Sequence, residues 1–410
     1  MIIVVTMGAW DFVIGILVGI LLACVSFVLQ TSQISAIRGS LPGNVANSTV
    51  RRHPIHHRFL QEAGQQIHVM KLAGYLFFGT IVGVEKQIRA LLLDRSQNLP
   101  IRFLVLDLYN VDGVDYSATE AFTRIGRMLS EDHVHLIVCG ITMDGDIGRS
   151  LQNAGLFDAV NGVTYFETLN SALEDCENEL LKTFYHQRDA LSEPETSSIM
   201  SEWLIKLIIT SINHFPDIPK ETVTAFSSET MFSSPRRHHL QRVATTTLGE
   251  QESVPLSRWQ GYKQPLQLIL QTFSTVSEKS EDFWYRTVPF FARKTFKSGT
   301  VLYRRGEPPD GFYLLESGIL KAEYVLPQGK FTELIVAGTT CGELPFFSGT
   351  QRTSTTSADR DCVVWMLDEE KWQDLQKNQP DIAQELLKIS LKLTSERMNA
   401  ITKYMLLTSG

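Results

Sequence analysis

An uninterrupted apolar run near the amino terminus constrains this chain more than any other feature. The eighteen residues FVIGILVGILLACVSFVL, from Phe12 to Leu29, carry no charge, and the residues from Ile2 to Trp10 are also largely apolar. A run of this length is enough to cross the hydrocarbon core of a bilayer. The sequence therefore predicts a transmembrane helix over 8–30 and an integral membrane protein.

The basic residues predict on which side of the membrane the rest of the chain lies. Arg38 is the first basic residue, so the positively charged leader that a signal peptide needs is missing, which disfavours that alternative. Arg38, Arg51, Arg52 and Arg58 all follow the apolar run. By the positive-inside rule, the domains after the helix are predicted to be cytosolic.

Charge and cysteine content argue against two classes of protein. The net charge is -7 and the pI is near 5.8, whereas nucleic-acid binding needs a dense basic surface, so no nucleic-acid partner is expected. The five cysteines lie far apart without a C-x-x-C pair, which disfavours a zinc knuckle or a disulfide framework. His53, His56 and His57 have no acid or cysteine close by in the chain, so we expect a solvated surface there and no metal site.

Strand and helix patterns alternate over residues 66–190. IHVMKLAGYLFFG alternates apolar and polar residues, IRFLVLDLYNV and HLIVCGI are buried runs, and segments such as SATEAFTRIGRMLSED have helical spacing between them. Such alternation predicts an α/β domain with a mainly parallel sheet and crossover helices. Residues 31–65 are then a juxtamembrane linker, and residues 191–260, rich in Pro, Ser and Thr, are a second linker that is largely disordered.

Short β-type runs separated by glycines occupy the last domain, residues 261–410. The segment GTVLYRRGEPPDGFYLLESGILKAEYVLPQGKFTELIVAG has the spacing of an antiparallel barrel or jelly roll. Apolar residues from Ile382 to Leu393 trace one face of a helix after Pro380, and a further helix is predicted around 266–276. We therefore predict a β-domain flanked by helices.

The stretch CGELPFFSGTQRTST, from Cys341 to Thr355, has the composition of an anion site. Small residues allow backbone amides to converge, a short helix can begin at Gly342, and Arg352 can bind two phosphate oxygens at once. A carboxylate repels a phosphate unless it faces a sugar hydroxyl, so Glu343 favours a nucleotide over bare phosphate. Alternatively, the motif is only fold architecture, with Gly342 required for its turn and Arg352 paired to an acid.

This motif resembles the cassette of the cyclic-nucleotide-binding domain, and the resemblance covers residues 286–405. The other residues that carry it are Gly299, Gly306, Asp310, Tyr313 and Gly318. It implies a β-jelly roll with flanking helices, a ribose contact from Glu343, a phosphate contact from Arg352 and, through Thr353, a preference for guanine. The candidate cyclic-nucleotide-binding residues are Gly342, Glu343, Leu344, Arg352 and Thr353, with cAMP or cGMP as the ligand and no other cofactor. Cys341, Pro345 and Gln351 depart from the family pattern.

The middle domain also resembles a known family. VLDLYNVDGVDYSATEAF is similar to the central segment of a STAS domain, the sulfate-transporter and anti-sigma-antagonist module, in which an acidic strand end leads to a serine at a helix start. The resemblance implies that Ser117 is a candidate for regulatory phosphorylation, since a phosphate there would meet free amides and the helix dipole. A capping box formed by Ser117 and Glu120 is the competing interpretation.

The order of the parts resembles the C-terminal portion of SulP-type anion transporters, in a fungal, endomembrane subset. The resemblance implies the regulatory tail of a sulfate-like anion transporter of the vacuole or another endomembrane, not an enzyme. One span is not enough for transport, so the chain is expected to be a fragment whose partners are the remaining membrane helices. Gly15, Gly19 and Ala23 would form a smooth helix face for such a partner or for a second copy in a homodimer.

Two other classes of protein are alternatives to a transporter tail. A free-standing membrane-tethered sensor or scaffold would have the same domains. An enzyme regulated by its nucleotide domain is disfavoured, because the sequence has no G-x-S-x-G elbow, Walker loop or metal-ligand cluster.

Overall fold

The chain forms two compact units. The computed structural model describes residues 12–33, 35–93, 101–158, 162–191, 235–249, 259, 261–274, 276–326 and 329–408. The first unit comprises Met1–Pro42 and Gln66–Ala172, and the second comprises Gly43–Gln65 and Leu173–Gly410. The stretch 31–65, which we expected to be a linker, therefore divides between the units and contains a strand and a helix.

The elements of the first part of the chain alternate between helix and strand. In chain order they are α1 (Phe12–Gln33), β1 (Ile37–Pro42), α2 (Pro54–Ala63), β2 (Ile67–Leu76), α3 (Phe78–Leu93), β3 (Phe103–Val114), α4 (Tyr116–Glu131), β4 (His135–Cys139), α5 (Asp146–Asn153), β5 (Thr164–Phe166) and α6 (Leu169–Leu191).

The elements of the second part are mainly strands with helices on either side. They are α7 (Pro235–Gly249), α8 (Leu266–Phe273), α9 (Glu281–Tyr285), β6 (Ala292–Phe296), β7 (Val301–Tyr303), β8 (Gly311–Ser317), β9 (Ile319–Leu326), β10 (Gly329–Val336), β11 (Thr340–Cys341), α10 (Glu343–Ser348), β12 (Thr355–Ala358), β13 (Cys362–Asp368), α11 (Glu369–Asn378) and α12 (Pro380–Thr408).

A five-stranded sheet in the order β1-β2-β3-β4-β5 forms the centre of the first unit. β1 is antiparallel to β2, whereas the remaining neighbours are parallel, so the prediction of a mainly parallel sheet is confirmed. The first six residues of β3 are all buried, as expected for a central strand covered on both faces. The apolar face of α4, with Phe122 and Ile125 among its residues, packs into the same core.

Helix α1 occupies most of the predicted membrane span. It packs against α3. Gly15 is buried and Gly19 half-buried, whereas Ala23, Ile16 and Leu17 are exposed, so α1 covers only the first part of the predicted small-residue face. Among the described residues, no helix combines the length and the apolarity that a bilayer crossing requires. The transmembrane helix over 8–30 stays a prediction, and residues 8–11 lie outside the described residues.

Only part of the second predicted linker, 191–260, can be compared with the structure. Residues 192–234, 250–258 and 260 lie outside the described residues. Between them, α7 is a helix whose Leu240, Val243 and Ala244 are buried. This portion is therefore an ordered part of the second unit.

Two antiparallel four-stranded sheets, ordered β10-β9-β12-β7 and β11-β8-β13-β6, form the jelly roll of the second unit. Leu315, Leu320 and Val364 belong to the core that its strands share. The flanking helices pack through a separate apolar cluster that includes Ile382 and Leu386, which confirms the predicted apolar face of α12. The predicted β-domain with flanking helices is confirmed, and β10 lies at the edge of its sheet.

Candidate functional site

Gly342 sets the backbone geometry of the predicted cassette. It lies between β11 and α10 with φ of 76°, in the left-handed region, where any side chain is strained. A Cβ atom at this position would also overlap Nη1 of Arg352. Glycine is therefore required here both for the turn and for the position of the arginine.

The guanidinium of Arg352 is enclosed by protein groups. Its side chain is 0% exposed, and Nη2 lies 2.6 Å from Oδ1 of Asp310. Nη2 also donates to the carbonyl of Gly311 at 2.7 Å, and Nη1 donates to the carbonyl of Gly342 at 3.0 Å. The guanidinium carbon lies 4.0 Å from the ring centre of Tyr303, a cation–π geometry. In this arrangement the charge of Arg352 is used within the domain and does not face open space.

Glu343 is also paired within the second unit. Nη1 of Arg51 lies 3.0 Å from its Oε1, and Nη1 of Arg397 lies 3.9 Å from the same atom. Burial alone would raise the pKa of Glu343, but the charges of Arg51 and Arg397 outweigh burial and hold this pKa below its ordinary value. For Arg51 burial acts in the opposite direction and lowers the pKa, yet the negative charges of Glu343 and Glu333 raise this pKa above its ordinary value. Glu343 and Arg51 are therefore both charged at neutral pH.

A second carboxylate completes this arrangement, and we call Arg51, Glu333, Glu343 and Arg397 the charge cluster. Nε of Arg51 lies 3.3 Å from Oε1 of Glu333, and Arg397 pairs with Oε2 of the same carboxylate. Tyr324 donates its hydroxyl to Glu333 at 3.1 Å. The two carboxylate side chains are only 3% and 2% exposed. Two cations thus balance two anions in a largely buried site.

The remaining candidate residues lie at the border of a small cavity. Leu344 and Thr353 are exposed, and they line a space of about 20 Å³ together with Arg51, Glu343 and Arg397. A cavity of this size holds about one water molecule. The structure brings the five candidate residues together, and the two charged ones, Glu343 and Arg352, are already paired with Arg51 and Asp310. Nucleotide binding by these residues stays a prediction.

Segment 43–65 is held in the second unit by several polar contacts besides Arg51. Ser48 donates to Glu177 of α6 from its backbone N and its Oγ, at 2.7 and 2.6 Å, and Nε of Arg52 lies 3.1 Å from the same carboxylate. These bonds involve a buried carboxylate and are therefore protected from solvent screening. They hold the segment on both sides of Arg51.

The three histidines are part of this attachment, so the expectation of a solvated histidine surface is wrong. His53 is buried and caps α2: its Nδ1 accepts from the N–H of Ile55 at 3.3 Å, and its Nε2 donates to the carbonyl of Gln271 at 2.7 Å. Nε2 of His56 lies 2.7 Å from the hydroxyl of Tyr185, and His57 is half-buried. Burial lowers the pKa of all three imidazoles. Within the described part of the chain, no cluster of three metal-ligating side chains occurs.

Ser117 lies in the first unit, at the second position of α4, and its side chain is exposed. The N-cap is Asp115, whose Oδ1 accepts from the N–H of Ala118 at 2.7 Å and whose Oδ2 accepts from the N–H of Phe78 at 3.2 Å. The predicted capping box of Ser117 and Glu120 is therefore wrong, because the helix begins two residues earlier than that box requires. The serine hydroxyl is left accessible, and its phosphorylation stays a prediction.

Sequence reasoning missed three of the four members of the charge cluster. Arg51 is 292 positions from Glu343 in the chain, so no local spacing could have connected them. Asp310 was noted as part of the family pattern, and the alternative that Arg352 is paired to an acid agrees with the geometry. The only available signal for Arg51 was its place among basic residues that follow the apolar run.

Comparison with protein families identifies both folded domains. Residues 61–172 match the family model of the STAS domain, and residues 293–379 match the model described as cyclic nucleotide-binding domain. A solved cyclic nucleotide-binding domain from Methylobacillus flagellatus is 19% identical and covers 35% of this chain and 84% of its own, with a TM-score of 0.34. An uncharacterized NTE family protein of Mycobacterium tuberculosis is 29% identical over 110 residues, which are 27% of this chain and 18% of that protein.

One curated relative aligns with the entire chain. It is the vacuolar basic amino acid transporter VSB1 of Saccharomyces cerevisiae, 31% identical over 438 aligned positions that include 100% of this chain. The chain spans 42% of the length of that relative. It therefore contains a STAS domain and a cyclic nucleotide-binding domain, and along its whole length it is similar to part of a vacuolar transporter.

Proposed function

We propose that this chain is the C-terminal regulatory portion of a SulP-type membrane transporter of the vacuole or another endomembrane, with its STAS and cyclic nucleotide-binding domains in the cytosol. The observation that carries the proposal is the alignment of the whole chain with a yeast vacuolar transporter at 31% identity. A STAS domain together with a cyclic nucleotide-binding domain supports a regulatory role. On this proposal the chain catalyses no reaction, and its partners are the membrane and the membrane helices of the transporter or of a second copy.

The apolar helix α1 is proposed as the membrane anchor. Its large aliphatic side chains, among them Ile16, Leu17, Ile20 and Leu21, are exposed. A helix with aliphatic side chains exposed around most of its circumference is stable only if lipid or other protein covers it. Lipid would cover these side chains, and the buried Gly15 would stay in contact with protein.

We propose a basic amino acid as the cargo of the intact protein, in preference to a sulfate-like anion. Support comes from the name of the yeast relative, a basic amino acid transporter, because the similarity extends over the entire chain. The sulfate expectation derives only from the broader resemblance of the domain order.

The second unit is proposed to regulate the transporter through segment 43–65. This segment joins β1 to β2 along the chain, and both strands belong to the STAS sheet. A change in how the second unit holds the segment would therefore be transmitted to that sheet through the covalent chain. The family match suggests cAMP or cGMP as a trigger, but either nucleotide would have to displace Arg51 and Asp310 from the cassette, which we do not expect in the unmodified chain.

A chimera would test this proposal. The aligned part of the yeast transporter is replaced by this chain in cells that lack the native transporter, and arginine and sulfate uptake by isolated vacuoles is measured. We expect arginine uptake above that of a chimera without the inserted chain, and no gain in sulfate uptake. A chimera that reaches the vacuolar membrane in normal amount but gains no arginine uptake would contradict the proposal.

A further inference from the structure

A short segment of the chain extends a sheet of the jelly roll. Arg51 forms a parallel bridge with Ile335 of β10: its N–H donates to the carbonyl of Leu334 at 2.8 Å, and its carbonyl accepts from the N–H of Val336 at 3.4 Å. β10 is an edge strand, whose unpaired backbone groups are a template for an added strand. Arg51 is therefore presented to the cassette on a strand, as the side chain of a bound peptide would be.

The side chain of Arg51 then enters the charge cluster. Besides its contacts with Glu343 and Glu333, Nη1 donates to the carbonyl of Thr340 at 2.5 Å. The Arg51 side chain is only 12% exposed. A planar guanidinium, with donors spread around its edge, can satisfy three acceptors of this kind at once, whereas an ammonium is a compact point charge. The acceptors are thus arranged for a guanidinium.

The charge balance favours a cation in this position over a cyclic phosphate. Without Arg51, the buried carboxylates of Glu333 and Glu343 would face one cation, Arg397, so the site would have one excess negative charge. An unpaired charge in a largely buried site is strongly unfavourable. The other cation of the cassette, Arg352, is fully enclosed and bound to Asp310. A phosphate in the place of Arg51 would therefore meet two carboxylates and a single half-buried arginine.

Space for a small ligand adjoins the cluster. A cavity of about 90 Å³ is lined by Arg51, Glu333, Glu343 and Arg397, together with residues of α12 and of the segment Ser48–Arg52. Arg52, whose side chain is 9% exposed, also lines this cavity, and its buried Nη2 has no hydrogen-bond partner among the described residues. A cavity of about 150 Å³ is large enough to hold benzene. Truncation of Arg51 would add to the present cavity the space that its guanidinium group fills, and that space would admit a free guanidinium ion.

We infer that the cassette pocket is a guanidinium site whose resident ligand is Arg51, presented on the strand that pairs with β10, and that it takes guanidinium-bearing ligands in preference to cyclic nucleotides. This goes beyond the proposed function, since the site would exist whether or not the protein belongs to a transporter. A negative result with the chimera would therefore leave the guanidinium site standing, and a negative result at the pocket would leave the proposed function standing.

Cys341 provides a probe of the pocket. The residue is 1% exposed, and it lines the same small cavity as Arg51. In the full chain we expect slow alkylation of Cys341 and, in Arg51→Ala, alkylation faster by about tenfold or more, because the empty site opens. Millimolar methylguanidinium chloride should restore protection in the variant, whereas equimolar sodium chloride or cAMP should not. Arg293→Ala, which removes an exposed arginine of β6, is the matched control and should behave like the parent chain.

Two results would overturn the inference. One is an unchanged alkylation rate of Cys341 in Arg51→Ala; the other is protection restored by cAMP but not by methylguanidinium. Cys362, buried elsewhere in the jelly roll, reports global unfolding. If Cys362 also becomes reactive, Glu343→Gln serves as the second variant. It keeps Arg51 but removes one acceptor charge, so Cys341 should react faster without rescue by methylguanidinium, and an unchanged rate would refute the site.

Discussion

Ser117 and Glu343 both lie in the first turn of a helix, yet their surroundings are opposite. Ser117 of the STAS domain is exposed, and its hydroxyl has no hydrogen-bond partner among the described residues. Glu343 of the jelly roll is buried between Arg51 and Arg397. The first position is open to modification, while the second is already occupied by groups of the same chain.

The difference shows what a local motif can and cannot specify. In both regions the motif sets the backbone: Asp115 begins α4, and Gly342 turns the chain into α10. Whether the site is free depends on distant residues, and in the part of the chain that the structure describes only the cassette has such residues within reach. A family motif therefore predicts the shape of a site better than it predicts the occupant.

The largest expected effect is the loss of Arg352. Arg352→Ala removes a fully buried side chain that donates hydrogen bonds to the carbonyls of Gly311 and Gly342, so we expect the jelly roll to lose about 3 kcal/mol of unfolding free energy. Denaturant unfolding of the full chain measures it. Arg304→Ala, which truncates an exposed arginine of the same domain, should change stability by less than about 0.5 kcal/mol. If Arg352→Ala left stability unchanged, Arg352 would not be needed for folding and would be available to bind a ligand. The difference between an occupied cassette and an accessible Ser117 would then disappear.

Gly342→Ala should have the next largest effect. Both Gly342 and Gly299 have positive φ, but a Cβ at Gly299 meets nothing within 4 Å, whereas one at Gly342 meets Arg352. We expect Gly299→Ala to cost about 1–2 kcal/mol from backbone strain and Gly342→Ala to cost at least about 1 kcal/mol more. Thermal unfolding of the two variants gives the difference. Equal losses of stability in the two variants would mean that the guanidinium of Arg352 is not tightly packed against Gly342.

The attachment of segment 43–65 should weaken in acid. His53 is buried and His56 is half-buried, and burial lowers the pKa of both imidazoles below the ordinary value of about 6.5. Their contribution to stability is complete above the unfolded pKa and is lost as pH falls below it toward the folded pKa. Hydrogen exchange of segment 43–65, corrected for intrinsic rates, should therefore increase between about pH 7.5 and pH 5.5. The increase should be smaller in His56→Gln, and a segment that becomes better protected in acid would contradict this assignment.

The smallest effects concern the start of α4. Asp115→Ala removes the N-cap and should cost about 1 kcal/mol, whereas Ser117→Ala should change stability by less than about 0.5 kcal/mol. Chemical denaturation of the two variants distinguishes them. A larger loss of stability in Ser117→Ala than in Asp115→Ala would support the capping box of Ser117 and Glu120. The serine hydroxyl would then be part of the helix cap and not available for modification.

Local patterns predicted most of the fold because each depends on nearby residues. The periodicity from Ile382 to Leu393 predicted the buried face of α12, and the alternation of strands and helices predicted the parallel sheet. The N-cap of α4 was placed two residues too late, because Asp115 and Ser117 are both good caps and sequence alone does not choose between them. The contact of Arg51 with Glu343 depends on the folded position of a segment far away in the chain, so it had no sequence pattern.

The cassette of this domain is occupied by side chains of the same chain. Calorimetric titration of the full chain with cAMP and, separately, with cGMP distinguishes an occupied cassette from one that is free to bind. We expect no saturable heat at millimolar nucleotide, because Glu343 is held by Arg51 and Arg352 by Asp310. Saturable binding by the unmodified chain, abolished by Arg352→Ala in protein that remains folded, would contradict the account and make the cassette a nucleotide site.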